Sequence, residues 1–137
     1  MFTRSAAAVL LLIGLVGCQK GPPEIASLTG KVTLDGKPLS VGIVSVVSGD
    51  DVTRGSARIA ADGTYSIVGA PVGPVKLSVS TEDDKIIYPE PGSGSTKERP
   101  NPKYVAIPKK YEKFETSGLE TTIPKGKGTY DVVLTSK

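Results

Sequence analysis

The sequence of 137 residues contains no histidine, no tryptophan and a single cysteine. Without histidine, Ser-His-Asp and Cys-His catalytic arrangements and histidine-liganded metal sites are excluded. One cysteine forms neither a disulfide within the chain nor a cysteine-rich zinc site. These absences exclude most of the familiar enzyme mechanisms. We therefore expect no catalytic residue, no cofactor and no metal, and the sequence predicts that the protein is not an enzyme.

The charges of the chain are mixed rather than clustered. There are 17 Lys and Arg residues against 14 Asp and Glu residues, which gives a net charge of +3 at pH 7. Because the cations are interspersed with acids, the sequence contains no basic patch of the kind that binds nucleic acid. We expect no nucleic-acid partner.

The N-terminus has the composition of an export signal. Arg4 precedes an unbroken small and apolar run at residues 6–17, which is too short to span a bilayer. The run ends in Leu15-Val16-Gly17 before Cys18, and this stretch resembles the lipobox of bacterial lipoproteins. The resemblance implies that Cys18 carries acyl chains such as palmitate and is the first residue of the mature chain. The alternative, an ordinary secretory signal, assigns the single cysteine no role.

These features divide the chain into three parts. Residues 1–17 are predicted to be a lipoprotein signal peptide, residues 18–27 a lipidated tether, and residues 28–137 a folded domain. Acyl chains on Cys18 make the membrane the first expected partner. We therefore expect an exported protein that is lipid-anchored to a bacterial membrane, on the periplasmic or outer-membrane side.

The domain shows the alternation that is typical of β-strands. Apolar and polar residues alternate in residues 75–80 and 130–135, whereas no convincing helical stretch is found. Asp35-Gly36 and Asp62-Gly63 are turn sequences between such strands. About seven strands, with turns every 8 to 12 residues through the first half, predict an all-β fold, a β-sandwich.

The period-two pattern also predicts the core and one strand pairing. Inward positions should form the core, and residues 119–123 should pair with the last strand across the turn at residues 125–128. The predicted core residues are Val32, Leu34, Tyr65, Ile67, Leu77, Val79, Val132 and Leu134.

Five short stretches, taken in order, resemble the carboxypeptidase regulatory-like family, and the last two resemble its short lipoprotein branch in planctomycete bacteria. They are residues 30–39, 62–67, 71–75, 107–111 and 116–119. The resemblance spans most of residues 28–135 and implies a transthyretin-like sandwich with no established activity. Enzymes with this sandwich have histidine-dependent sites, which this chain cannot supply. The fold by itself assigns no function.

A connection far longer than the usual sandwich turn spans residues 82–118. Its first part, residues 90–101, has no hydrophobic residue and is predicted to be a mobile surface excursion. Its second part places aromatic residues among lysines, which is a candidate surface for a protein, peptide or glycan partner. That candidate ligand or partner surface consists of Tyr104, Lys109, Lys110, Tyr111 and Phe114. In the alternative, which we favour, Tyr104, Val105, Ile107 and Tyr111 pin the connection over the sandwich edge.

The remaining polar motifs are weaker signals. The acidic stretches at residues 82–84 and 50–51 offer oxygen ligands for calcium, but they lack the spacing of a calcium-binding loop and are better explained as solvated turns. Ser117 lies in a turn sequence with no base to activate it. The sequence favours a non-catalytic, lipid-anchored cell-envelope module with a structural or protein-interaction role. The alternative is a lipoprotein that binds carbohydrate or peptide weakly.

The lipobox resemblance makes the first testable prediction. Cys18→Ser should leave an unprocessed precursor that incorporates no labelled fatty acid, because the acylated thiol is the feature that the peptidase requires. Intact-mass analysis and fatty-acid labelling in cells measure both effects. A wild-type protein that is cut elsewhere and carries no lipid would contradict the prediction.

Overall fold

The computed structural model describes residues 24–137 together with Gly17, Gly21 and Pro22. The predicted signal peptide up to residue 16, Cys18 and part of the predicted tether lie outside the described residues. The described chain is all-β, as predicted, and its two 3-10 helices have only three and four residues. Within this part of the chain, no helix has the length and apolar character needed to cross a membrane.

Eleven strands, several of them only two or three residues long, make up the described regular structure together with the two 3-10 helices. The strands are β1 (Ile25–Leu34), β2 (Lys37–Pro38), β3 (Ile43–Ser48), β4 (Arg54–Arg58), β5 (Thr64–Pro71), β6 (Gly73–Ser80), β7 (Ile86–Ile87), β8 (Arg99–Pro100), β9 (Leu119–Ile123), β10 (Lys127–Thr129) and β11 (Val132–Leu134). The 3-10 helices are Glu82–Asp84 and Lys109–Glu112.

The first sheet is built around β1. Residues 27–29 of β1 pair with both β5 and β10, so these two strands lie on opposite sides of β1. β5 is antiparallel to β1, whereas β10 and then β11 run parallel to it. β1 begins at Ile25, within the predicted tether, because Ala26 is buried and pairs with Ala70 of β5.

The second sheet has the order β4-β3-β6-β9, and all its neighbouring strands are antiparallel. β3 lies inside this sheet and is rich in valine, which favours strands. Val44 and Val46 of β3 face the core between the two sheets. The two sheets therefore stack as a β-sandwich, and the short β7-β8 pair stands apart from both.

One predicted pairing is wrong. The last strand was expected to pair with residues 119–123, but β9 pairs antiparallel with β6 instead. The chain then crosses to the first sheet through Gly126, whose φ is +90°, and enters β10. Pro124 follows β9 directly and has no N–H to donate, so the strand ladder does not continue into a hairpin. A glycine-containing turn sequence fits a corner between two sheets as well as it fits a hairpin.

The core between the sheets confirms the inward positions that the alternation predicts. Of the eight predicted core residues, seven are buried, and Leu34 is half-buried against the same cluster. At the alternate positions, Lys76 of β6 and Val133 of β11 are exposed, whereas Ser78 of β6 is buried. Burial of one face of each sheet therefore fixes the register of the strands.

The strand directions give the sandwich two distinct ends. The N-terminal end consists of Glu24 and the turns at residues 49–53, 71–73 and 124–126. The distal end consists of the turns at residues 35–42 and 59–63, the start of the long connection after Thr81, and residues 135–137. Backbone hydrogen bonds join the N-terminal turns: the Val72 N–H donates to the Glu24 carbonyl at 3.1 Å, and the Ser27 N–H donates to the Gly126 carbonyl at 2.9 Å.

The register of β6 generates a stability prediction. Leu77→Ala should lower the free energy of unfolding by about 2 to 5 kcal/mol, because Leu77 is fully buried and the change leaves a cavity. Lys76→Ala, one residue earlier with an outward side chain, should change it by no more than about 0.5 kcal/mol. Denaturant titration of the two variants measures both values. Equal losses at the two positions would mean that Leu77 does not face the core.

Candidate functional site

Asp84 fixes the start of the long connection to the sandwich. Its carboxylate accepts hydrogen bonds from the Gly42 N–H at 2.7 Å and from the Arg58 guanidinium at 2.8 Å. The Asp84 carbonyl accepts a bond of 2.8 Å from the Asn101 side-chain amide, and the Asn101 N–H donates to the Lys85 carbonyl at 3.0 Å. These bonds hold the two ends of residues 85–101 together at the distal end.

Between these fixed ends, residues 86–100 form an exposed segment, here called the excursion. β7 and β8 pair at its base, and every residue from 91 to 100 is exposed. Tyr88, Lys97 and Arg99 line a shallow, open concavity of about 670 Å³. Ile86 and Tyr88 are exposed hydrophobic residues outside the candidate surface predicted from the sequence. Their sequence signal is an apolar triplet directly before a stretch rich in Pro, Gly and Ser.

The second part of the connection closes the edge of the sandwich between β6 and β11. β9 pairs with β6 only as far as Leu77, and beyond that point Ile107 and Tyr111 are buried in the core cluster. The Tyr111 hydroxyl accepts a bond of 3.1 Å from the Thr135 N–H. The buried Ser117 hydroxyl donates to the Leu77 carbonyl at 2.5 Å. This packing covers an edge that would otherwise be open to another strand, as the favoured alternative predicts.

Only part of the predicted candidate surface faces solvent at the second 3-10 helix. Lys109 and Lys110 are exposed, whereas Tyr111 between the sheets is buried. The Lys110 ammonium nitrogen lies 4.9 Å from the centroid of the Tyr111 ring, within the range of a cation–π contact. These three residues lie together, but a ligand at this place would meet two lysines rather than an aromatic face.

The other two residues of the candidate surface have different partners. The Tyr104 hydroxyl donates to a Glu82 carboxylate oxygen at 3.0 Å, and this hydrogen bond raises the pKa of Tyr104. The Lys85 ammonium nitrogen lies 5.9 Å from the centroid of the Tyr104 ring. The Phe114 ring lies 5.6 Å from the guanidinium carbon of Arg54 on β4. The aromatic rings therefore already contact cations of the domain itself.

Two further acidic residues, Asp50 and Asp62, stabilise turns. The Asp50 carboxylate accepts hydrogen bonds from the Ser48 hydroxyl at 2.5 Å and from the Val52 N–H at 3.3 Å. The Asp62 carboxylate accepts bonds from the Thr64 hydroxyl at 2.6 Å and the Thr64 N–H at 3.0 Å, and these bonds lower the pKa of Asp62. Among the residues that the structure describes, no group of three or more Asp, Glu, Cys or His side chains is placed to hold a metal ion.

Comparison with known proteins gives structural similarity without a family. No protein-family model matches the sequence, and no curated protein matches it. Similar solved structures include a DUF3823 family protein from Bacteroides ovatus ATCC 8483, with 19% identity, a TM-score of 0.43, and coverage of 80% of this chain and 42% of that chain. A DUF3823 family protein from Parabacteroides merdae ATCC 43184 has 14% identity, a TM-score of 0.44, and coverage of 84% and 48%. This chain spans less than half the length of either structure.

The packing of the connection generates a prediction that separates an edge cover from a ligand surface. Tyr111→Ala should lower the free energy of unfolding by about 3 kcal/mol or more, because it opens a cavity in the core and removes the hydroxyl bonded to Thr135. Tyr104→Ala, at a half-buried ring, should cost about 1 kcal/mol or less. Denaturant titration measures both. Unchanged stability of Tyr111→Ala with reduced binding to envelope fractions would identify Tyr111 as a ligand contact instead.

Proposed function

We propose that this chain is a lipid-anchored module of the bacterial cell envelope, of the carboxypeptidase regulatory-like type, with a structural or protein-interaction role and no catalytic one. Acylated Cys18 holds the exported protein to a membrane, on the periplasmic or outer-membrane side. The observation that carries the proposal is the placement of the start of β1 and the base of the excursion at opposite ends of the sandwich.

The tether keeps the N-terminal end of the domain close to the membrane. Ile25, where β1 begins, follows Cys18 by seven residues, and an extended chain of that length spans at most about 25 Å. Two or more acyl chains hold a protein to a bilayer essentially permanently. The N-terminal end therefore stays within about 25 Å of the lipid surface.

The sandwich presents the excursion away from that surface. β1 has ten residues and runs from the N-terminal end to the distal end, so the domain is roughly 33 Å long in this direction. The excursion leaves the distal end, where Asp84 and Asn101 fix its base. An anchored domain that stands upright thus exposes residues 91–100 to the envelope space.

A role without catalysis is supported by the hydrogen bonds of two buried hydroxyl groups, which bind the fold itself. The buried Ser117 hydroxyl donates to the Leu77 carbonyl, and the buried Tyr65 hydroxyl donates to the Tyr130 carbonyl at 2.5 Å. Burial raises the pKa of Tyr65, which keeps this group protonated. Both hydroxyl groups thus donate to backbone carbonyls of the fold.

One observation favours a second function, weak binding of carbohydrate or peptide. Tyr88 is an exposed aromatic residue beside the open concavity that Lys97 and Arg99 also line. Exposed aromatic rings stack on sugars and on peptide side chains, and the cations add hydrogen-bond donors. A ligand in this concavity would contact the Tyr88 ring and the Lys97 and Arg99 side chains.

Crosslinking in cells tests the interaction role. A photo-crosslinking amino acid in place of Tyr88 should capture specific envelope proteins, because Tyr88 lies on the excursion at the distal end. The same amino acid in place of Val133, an exposed residue of β11 outside the excursion, is the matched control. Equal capture at the two positions would contradict the proposal, and retention of the purified domain on glycan columns without protein capture would favour the weak binder.

Deletion of residues 92–97 provides the stability control for this experiment. The deletion keeps β7 and β8 and should leave the melting temperature almost unchanged, because these exposed residues bury nothing and loop-closure entropy varies slowly with length. A deletion variant that is equally stable but loses the crosslinked partners supports the excursion as the binding segment. A stable variant that keeps them would assign the partners to another surface.

A further inference from the structure

The N-terminal end carries an unusual share of the exposed hydrophobic side chains. Three of the six large hydrophobic residues exposed in the described part of the chain belong to this end. Ile25 is 62% exposed at the start of β1, Val52 is 76% exposed in the β3–β4 turn, and Val68 is 82% exposed on β5. Val68 pairs opposite Ser27, two residues from Ile25.

We propose that Ile25, Val52 and Val68 form a membrane seat, a surface on which the domain rests against the lipid headgroup region of the bilayer. The proposal rests on the proposed acylation of Cys18. The bilayer is the surface that this end meets, because only seven residues separate Cys18 from Ile25, where β1 begins. The seat is therefore the part of the domain that the anchor brings nearest to lipid.

The two sheets contribute to the seat side by side. Ile25 and Val68 lie on the outer face of the first sheet, and Val52 lies in a turn of the second. The strand that follows this turn, β4, is close to β5, because a Cβ at Gly55 of β4 would lie 3.4 Å from the Gly69 carbonyl oxygen of β5. The Val52 N–H donates to the Asp50 carboxylate, which fixes the turn with the Val52 side chain exposed.

The charges at this end indicate an apolar contact rather than an electrostatic one. The cations Arg54, Lys125 and Lys127 are accompanied by the acids Glu24, Asp50 and Asp51, and Lys125 forms an ion pair of 2.8 Å with Glu24. These cations and acids nearly balance, so attraction to anionic lipid does not account for the contact. Three aliphatic side chains bind lipid weakly on their own, but the anchor makes the contact intramolecular and raises its effective concentration.

Fluorescence of the lipidated full-length protein in phosphatidylcholine vesicles tests the seat. Acylation blocks the Cys18 thiol, so Val52→Cys and, separately, Val68→Cys provide single sites for an environment-sensitive dye. Val133→Cys is the matched control, because Val133 is an aliphatic residue with 63% exposure that pairs with Thr33 toward the distal end. Nitroxide-labelled lipids should quench the dye at positions 52 and 68, with blue-shifted emission that persists at high salt, and should not quench it at position 133.

Three outcomes overturn the proposal, and they are distinguishable. Lipidated protein that floats with the vesicles but shows the same unquenched emission at positions 52, 68 and 133 contradicts the seat and leaves the proposed function intact. Protein that carries no lipid and does not float contradicts both. Quenching that disappears at high salt overturns the apolar contact in favour of an electrostatic one.

Discussion

The close approach at Gly30 is the constraint on which the first sheet depends. A Cβ at this position would lie 1.9 Å from the Tyr130 carbonyl oxygen and 2.9 Å from the Tyr65 ring, so only glycine fits. The Tyr65 hydroxyl donates to the same carbonyl oxygen, and the raised pKa of Tyr65 keeps that donor protonated. The Tyr130 N–H donates to the Thr29 carbonyl at 2.9 Å. One point therefore joins β1, β5 and the chain between β10 and β11.

This junction also determines at which ends of the sandwich β1 begins and the long connection starts. Tyr130 and Asp131 carry the chain from β10 to β11, both parallel to β1, and the Lys31 N–H donates to the Asp131 carboxylate at 3.0 Å. A parallel partner of β1 must start at the N-terminal end, so the chain has to return there before β10, and β9 makes that return. The connection that precedes β9 consequently lies at the distal end, opposite the start of β1.

Local signals in the sequence predicted the longer strands and most of the turns between them, but not the short strands β2, β7, β8 and β10 or the pairing of distant strands. The Asp35-Gly36 turn has φ values of 50° and 81°, as its sequence predicts, and alternation identified the core. The parallel pairing of β11 with β1 joins residues that are far apart in the sequence and leaves no local pattern. The role of Tyr111 could not be decided from the sequence alone for the same reason. In the sequence, an aromatic residue among lysines resembles a binding surface. In the fold, β9 is too short to cover the whole edge of β6, and Tyr111 is buried at the part that β9 leaves uncovered.

The two parts of the long connection differ in what the fold requires of them. The edge cover contributes Ile107, Tyr111 and the Ser117 hydroxyl to the interior, so changes there cost stability. The excursion is closed at its base by Asp84 and Asn101 and buries none of its residues from 91 to 100. Substitutions in these exposed residues therefore remove no buried contacts. For this reason we place the proposed interaction role on the excursion rather than on the lysine and aromatic residues that the sequence first indicates.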